Sequence, residues 1–191
     1  MTAASAPSLS ADLVAGLKRL KLATIRAIAP DVLHVAKTQR WPPEEVLRTL
    51  VEAEIAARER SNARTRLRAA GFPVAKTLDE FNMALSSLPQ ATFDYLASLE
   101  WIHASENLCL VGPAGTGKSH LLIALGHAAV ATGMRVRYFT AVELVEHLYR
   151  AVADNTVGRA IETVCRNDLI IIDLCRHRDY AEGHGLELAF V

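Results

Sequence analysis

Gly112, Gly117, Lys118 and Ser119 stand at the spacing G-x-x-x-x-G-K-[ST], and Gly115 adds a third glycine inside the loop. Each residue type answers a need of polyphosphate chemistry. Glycines let backbone N–H groups crowd around phosphate oxygens, a lysine reaches those oxygens as a point charge, and the adjacent hydroxyl can ligand Mg²⁺. The candidate binding loop is therefore Gly112, Pro113, Ala114, Gly115, Thr116, Gly117, Lys118 and Ser119, with His120 opening the run behind it. A second candidate, Asp173, ends the run Asp168-Leu169-Ile170-Ile171-Ile172-Asp173. A buried strand that delivers a carboxylate in this way matches the Walker B pattern, in which the acid stands at the Mg²⁺ beside the loop hydroxyl. The two motifs together predict a nucleotide polyphosphate bound with Mg²⁺.

These groups work only if strand, loop and helix follow in that order. Leu108, Leu110 and Val111 predict a short buried strand, His120 to Ala131 a mostly apolar helix, and Gly133 a helix end. Val136 to Thr140 is a β-branched and aromatic run that predicts a second strand. Val142, Leu144, Val145 and Leu148 then recur at helical spacing, and Ile161, Val164 and Cys165 suggest another helix before the Asp173 strand. Upstream, Ser10 can cap a helix carrying Leu13, Leu17, Leu20 and Leu22, and a helical tendency continues to Val35 with an interruption at Pro30-Asp31. Trp41-Pro42-Pro43-Glu44-Glu45 is a restart signal for a long helix to Ala70, ended by Gly71 and Pro73, with Val46, Leu50, Val51 and Ile55 as its apolar stripe. Residues 71–90 read as a linker, and Phe93 to Ile102 as one helix leading into the loop strand. The chain thus divides into a helical domain over 1–70, a linker and helix over 71–106, and an α/β nucleotide-binding domain over 107–191.

Twenty-one basic and twenty-one acidic residues balance, so any affinity for nucleic acid must be local. One local signal exists. Arg58, Arg60, Arg64, Arg66 and Arg68 fall within eleven residues of the long helix, opposed there only by Glu59. Such a face suits a phosphate backbone, and it equally suits a solvated or intersubunit salt-bridge surface. No base-reading motif accompanies it, so contact with DNA would position rather than specify. Three cysteines without C-x-x-C spacing argue against a disulfide framework or zinc site, and His177, Asp179 and His184 lack the regular spacing of metal ligands. No charged leader precedes an apolar core and no uncharged apolar run approaches 18 residues, which predicts a cytoplasmic chain with no membrane span.

With these residues in view, the chain resembles the IstB-like family of ATP-binding transposition helper proteins, AAA+ ATPases related to DnaC-type helicase loaders and to DnaA. The likeness runs from about Leu17 to Asp173. It rests on the Arg-rich helical region before Gly71-Phe72-Pro73, on Lys76-Thr77-Leu78-Asp79-Glu80-Phe81, on the loop Gly112–Ser119, and on Phe139-Thr140-Ala141-Val142-Glu143-Leu144-Val145. The resemblance implies an ATP-dependent homo-oligomer that binds duplex DNA, deforms it and stimulates a transposase. It carries Lys118 and Ser119 over as ATP and Mg²⁺ contacts and Asp173 as the Walker B acid, and it favours DNA contact for the arginine cluster. A DnaC-like helicase loader is the alternative of a different class, and a non-functional remnant is a third.

The departures are specific. The family carries Asp-Glu at the end of the Walker B strand, whereas Leu174 follows Asp173 and cannot orient water or accept a proton. Cys175-Arg176-His177-Arg178-Asp179-Tyr180 does not resemble the family's loop, and Ala181 to Leu188 gives only a hint of the next helix. No sensor strand, arginine finger or lid is expected. The expected fold is accordingly an N-terminal helical domain and a partial three-layer P-loop core of three parallel strands. Its two motif strands would either pair directly or leave unpaired backbone between them.

Overall fold

The computed structural model describes residues 8–113, 115–174 and, for the backbone alone, 186–190. The chain divides into two compact units, Met1–Asn62 and Ala63–Val191, with the division falling inside one helix. No described helix is long and apolar enough to cross a membrane.

The first unit holds α1 (Ala11–Arg19), α2 (Ala23–Gln39) and the start of α3 (Pro43–Ala70). The restart signal at Pro42-Pro43 and the stop at Gly71 therefore mark the ends of α3 as the sequence predicts. The interruption expected at Pro30 does not occur: α2 runs through it. A proline inside a helix costs one hydrogen bond to the preceding turn, and α2 holds its course with Ala29 and Ala36 buried. Val51 and Ile55 of the expected apolar stripe are exposed.

The amino end of α2 has no side-chain cap of its own. Glu54 supplies one from α3, accepting the backbone N–H groups of Thr24 at 2.9 Å and Ile25 at 3.0 Å. Arg58 donates its Nε to the same carboxylate at 3.2 Å and its Nη2 to the Lys21 carbonyl at 3.2 Å. A carboxylate here satisfies otherwise orphaned first-turn donors and meets the positive end of the helix dipole. The Ile25 N–H foremost, with the Arg58 guanidinium and the Thr24 N–H, holds the Glu54 carboxyl below its ordinary range. A carboxyl depressed on folding contributes stability that is present above its unfolded value and is lost as pH falls through its folded value. Glu54→Gln should therefore lower the melting temperature at neutral pH and flatten its fall on acidification. Circular-dichroism melts of the full chain across pH test this, and parallel acid limbs in the two proteins would refute it.

In the second unit the single helix expected over Phe93–Ile102 is two, α4 (Gln90–Ser98) and α5 (Glu100–His103). The break lies at Leu99, whose φ of 60° is left-handed. Leu99 is nonetheless buried, and Trp101 behind it is buried with its indole N–H on the Leu96 carbonyl at 3.0 Å. Burying both residues in one core compensates for the strained turn. Strands β1 (Cys109–Pro113), β2 (Val136–Thr140) and β3 (Leu169–Asp173) alternate with α6 (Lys118–Ala131), α7 (Ala141–Ala153) and α8 (Val157–Cys165). Thr140 and Glu143 form a reciprocal capping box at the start of α7, which stops β2 and starts the helix in one step.

The sheet differs from expectation. A fourth strand, β4 (Leu186–Phe190), lies between the motif strands and gives the order β1-β4-β3-β2. β2 and β3 pair in parallel, as expected, while β4 pairs antiparallel with both β1 and β3. Unpaired strand edges are costly, and β4 closes the gap that a three-stranded arrangement leaves. Leu186 to Leu188 are strand rather than the start of a helix, and Ala181–Gly185 lie outside the described residues. β1 is an edge strand and is largely exposed rather than buried, with Val111 at 59%.

Because β4 runs against both its neighbours, β1, β2 and β3 all point the same way. Their carboxyl ends, Pro113, Thr140 and Asp173, share one end of the sheet. α6 packs on the face that carries Tyr138 and Ile171, and α7 meets the opposite face through His147 on Phe139. Alternation along β3 puts Asp173 on the same face as Ile171, the α6 face.

Candidate functional site

The loop after β1 turns on Gly115 (φ 79°) and Gly117 (φ 87°), both in the left-handed region that glycine occupies without strain. Gly117 is the residue from which α6 starts, so the helix begins at Lys118, two residues earlier than the sequence suggests. A Cβ on Gly117 would come within 3.1 Å of the Phe81 ring. Phe81 also stacks on Phe93 and sets its edge to the His120 ring, and His120 Nε2 lies 3.3 Å from the Thr77 carbonyl. The stretch Lys76–Phe81 thus braces the loop and the first turn of α6.

Lys118 is buried, at 8% exposure, and its ammonium donates to the Pro113 carbonyl at 2.6 Å and to Thr116 Oγ1 at 3.3 Å. Thr116 in turn donates to the Pro113 carbonyl at 3.0 Å. The cation is held by the loop it belongs to, at a helix amino end where anions are favoured. An open cleft of about 230 Å³ runs along the loop, lined by Phe81, Leu88, Pro89, Thr116, Gly117 and Lys118.

Asp173 is buried, at 3% exposure, and accepts the Tyr138 hydroxyl at 2.8 Å. The strand directions place it at the loop's end of the sheet and on the loop helix's face. Ser119, in the first turn of α6, completes the set. A hydroxyl and a carboxylate are hard oxygen donors of the kind Mg²⁺ takes alongside phosphate oxygens, and a buried lysine suits the phosphate itself. The donor chemistry fits magnesium nucleotide.

The other predicted residues fall elsewhere. Ala114 lies outside the described residues, as do Cys175, His177, Asp179 and His184. Among the described residues no cluster of histidine, cysteine and acidic side chains could hold a metal by itself. Of the arginines, Arg58 is engaged with Glu54 and Lys21 inside the first unit, where Arg60 is exposed. In the second unit Arg66 is half-buried, with its guanidinium beside Gly133, while Arg64 and Arg68 are exposed one turn apart. The sequence reading missed Tyr138, whose role no motif announces, and Gly126, discussed below.

A glycine-rich loop entering a helix at the carboxyl end of the sheet, with a buried acid ending another strand at that same end, defines a P-loop NTPase-like α/β domain. The chain belongs to the family of IstB-like ATP binding proteins, whose profile matches residues 15–188. The match runs past Asp173, so the likeness extends further than the sequence reading placed it. Among relatives, "Insertion sequence IS5376 putative ATP-binding protein" of Geobacillus stearothermophilus is 32% identical over 156 residues, covering 81% of this chain and 62% of its own. "Insertion sequence IS21 putative ATP-binding protein" of Pseudomonas aeruginosa is 30% identical over 158 residues, covering 82% and 60%. A Sinorhizobium fredii protein named "Putative insertion sequence ATP-binding protein" is 31% identical over 161 residues, covering 82% and 53%. The chain spans between half and two thirds of the length of these relatives.

Proposed function

We propose that the chain is an ATP-binding helper of transposition that associates with duplex DNA and serves a transposase in the cytoplasm. One observation carries the reading: in a chain of this family, the Gly112–Ser119 loop leads Lys118 and Ser119 into α6 at the sheet end where Asp173 is buried. Lys118 binds the terminal phosphates, and Ser119 and Asp173 hold Mg²⁺, which neutralises phosphate charge when bound. Leu174 stands, 37% exposed, where the family's water-orienting glutamate is expected, and it offers no group to receive a proton. Hydrolysis is therefore impaired while binding persists. The exposed Arg60, Arg64 and Arg68 are the DNA contacts that fit best, since they reach phosphates without breaking contacts of the kind that engage Arg58 and Arg66.

The test is Mg²⁺-dependent binding of a fluorescent ATP analogue, followed together with phosphate release and duplex binding. Micromolar affinity, about −8 kcal/mol, with no phosphate release is the expected result. No binding overturns the nucleotide reading, and release above background overturns the role given to Leu174. Replacing Arg64 and Arg68 by alanine should weaken duplex binding equally across sequences and lower the salt slope by about two. An unchanged slope removes the two arginines from the DNA contact.

A further inference from the structure

We propose that Tyr138 is a positioning residue for magnesium: its hydroxyl fixes the Asp173 carboxylate in the orientation that receives the ion. The inference rests on the reading of Asp173 given above and assigns a role to a residue outside both motifs.

Tyr138 and Asp173 lie on adjacent parallel strands, in a register that pairs Tyr138 with Ile171 and Thr140 with Asp173. Tyr138 is thus two residues short of the strand end, and its long side chain reaches along the α6 face to the carboxylate. The two oxygens are 2.8 Å apart and both residues are buried, at 7% and 3% exposure. A carboxylate at a strand end turns about two side-chain bonds. Donation to Oδ2 restrains that rotation and, with it, the direction of Oδ1. Mg²⁺ demands near-ideal octahedral geometry and tolerates misplaced ligands poorly, so orientation of the carboxylate matters more here than for a softer or larger ion.

Tyr138 is itself held. Phe72 packs at 6.0 Å between ring centroids, and the tyrosine ring belongs to the buried core cluster of the second unit. A phenol on a rigid strand, wedged by an aromatic neighbour, is a more precise support than a surface side chain. The arrangement matches the outer-shell hydrogen bonds that orient metal-binding carboxylates, whose removal costs about 10- to 100-fold in metal affinity.

The experiment titrates Mg²⁺ into chain mixed with a fluorescent ATP analogue, using wild type, Tyr138→Phe, Asp173→Asn and the double variant. Tyr138→Phe keeps the ring and its packing. It should raise the half-saturating Mg²⁺ concentration about tenfold and leave metal-free nucleotide binding unchanged. Asp173→Asn should remove the Mg²⁺ dependence, and in that background Tyr138→Phe should add nothing. If Asp173→Asn leaves the Mg²⁺ dependence intact, the reading of Asp173 fails, and this inference with it. If Asp173→Asn acts as expected but Tyr138→Phe keeps the wild-type midpoint, only the inference about Tyr138 is overturned. The wild-type chain gives a second readout that needs no folded variant. With ¹³C-labelled tyrosine rings, the Tyr138 signal should shift when Mg²⁺ is added to the nucleotide-loaded protein, and a static signal would overturn the proposal.

Discussion

Lys118→Ala should lower affinity for the fluorescent ATP analogue by about 30- to 100-fold. The magnitude follows from what the ammonium does with and without phosphate. The ammonium donates to the Pro113 carbonyl at 2.6 Å and the Thr116 hydroxyl at 3.3 Å. Both acceptors are neutral and belong to exposed loop residues that water can serve. On the proposed reading the same ammonium serves a phosphate oxygen once nucleotide binds. Hydrogen bonds to charged groups contribute about 1.5–3 kcal/mol each, and a loss of 2–2.7 kcal/mol corresponds to 30- to 100-fold in affinity. Lys118→Arg should not rescue binding. The guanidinium is a wide planar fork, whereas the ammonium is a compact point charge donating to the Pro113 carbonyl and Thr116 hydroxyl. Isothermal titration of all three proteins decides the matter. An alanine variant that binds like wild type would show that the loop's backbone and the α6 terminus hold the phosphates unaided.

The loop, the Walker B strand and the long α3 were legible in the sequence because each is set by local chemistry. Glycines at 115 and 117 announce positive φ, Pro42-Pro43 and Gly71 announce the ends of a helix, and Ile170-Ile171-Ile172 announces a buried strand. The errors share a different origin. Pro30 was read by its local preference, yet helix α2 runs through it. Leu99 adopts a left-handed conformation that no leucine would choose alone, and it does so with its side chain buried in the core. Leu186-Glu187-Leu188-Ala189-Phe190 carries a period-two alternation that argues for a strand. The family resemblance points to a helix there instead, and the gap between β1 and β3 decides for the strand. The hydroxyl of Tyr138 was illegible for a plainer reason. Its partner is 35 residues away, and only the strand register brings the two together.

Gly126→Val should cost about 3 kcal/mol of stability and lower the melting temperature of the chain by roughly 10 °C. In the sequence Gly126 is a lone glycine in the apolar helix Lys118–Ala131, where it forfeits about 1 kcal/mol of helix propensity relative to alanine. Propensity alone predicts that replacing it stabilises the chain. The structure reverses the sign. A Cβ at Gly126 would lie 2.6 Å from Phe72 Cζ and 2.8 Å from Ile171 Cδ1, distances at which something must move. Ile171 is fully buried on β3 and cannot withdraw. Phe72 can leave only by giving up its stack on His127, whose centroid is 4.6 Å away, and its packing against Tyr138. Overpacking of a filled site costs about 1–3 kcal/mol and rises with the added volume. Alanine should therefore be mildly destabilising, by about 1 kcal/mol, and valine severely so. The absence of a side chain at Gly126 lets α6 lie close against β3, and α6 carries Lys118 and Ser119 while β3 carries Asp173. Valine at this position should consequently weaken Mg²⁺-dependent nucleotide binding at temperatures where the chain is still folded. Phe72→Leu in the same chain should restore part of both losses by opening room for the new methyl groups. Thermal melts and Mg²⁺ titrations of the single and double variants test the argument. A Gly126→Val chain as stable as wild type would show that the close approach of α6 and β3 does not depend on the missing side chain.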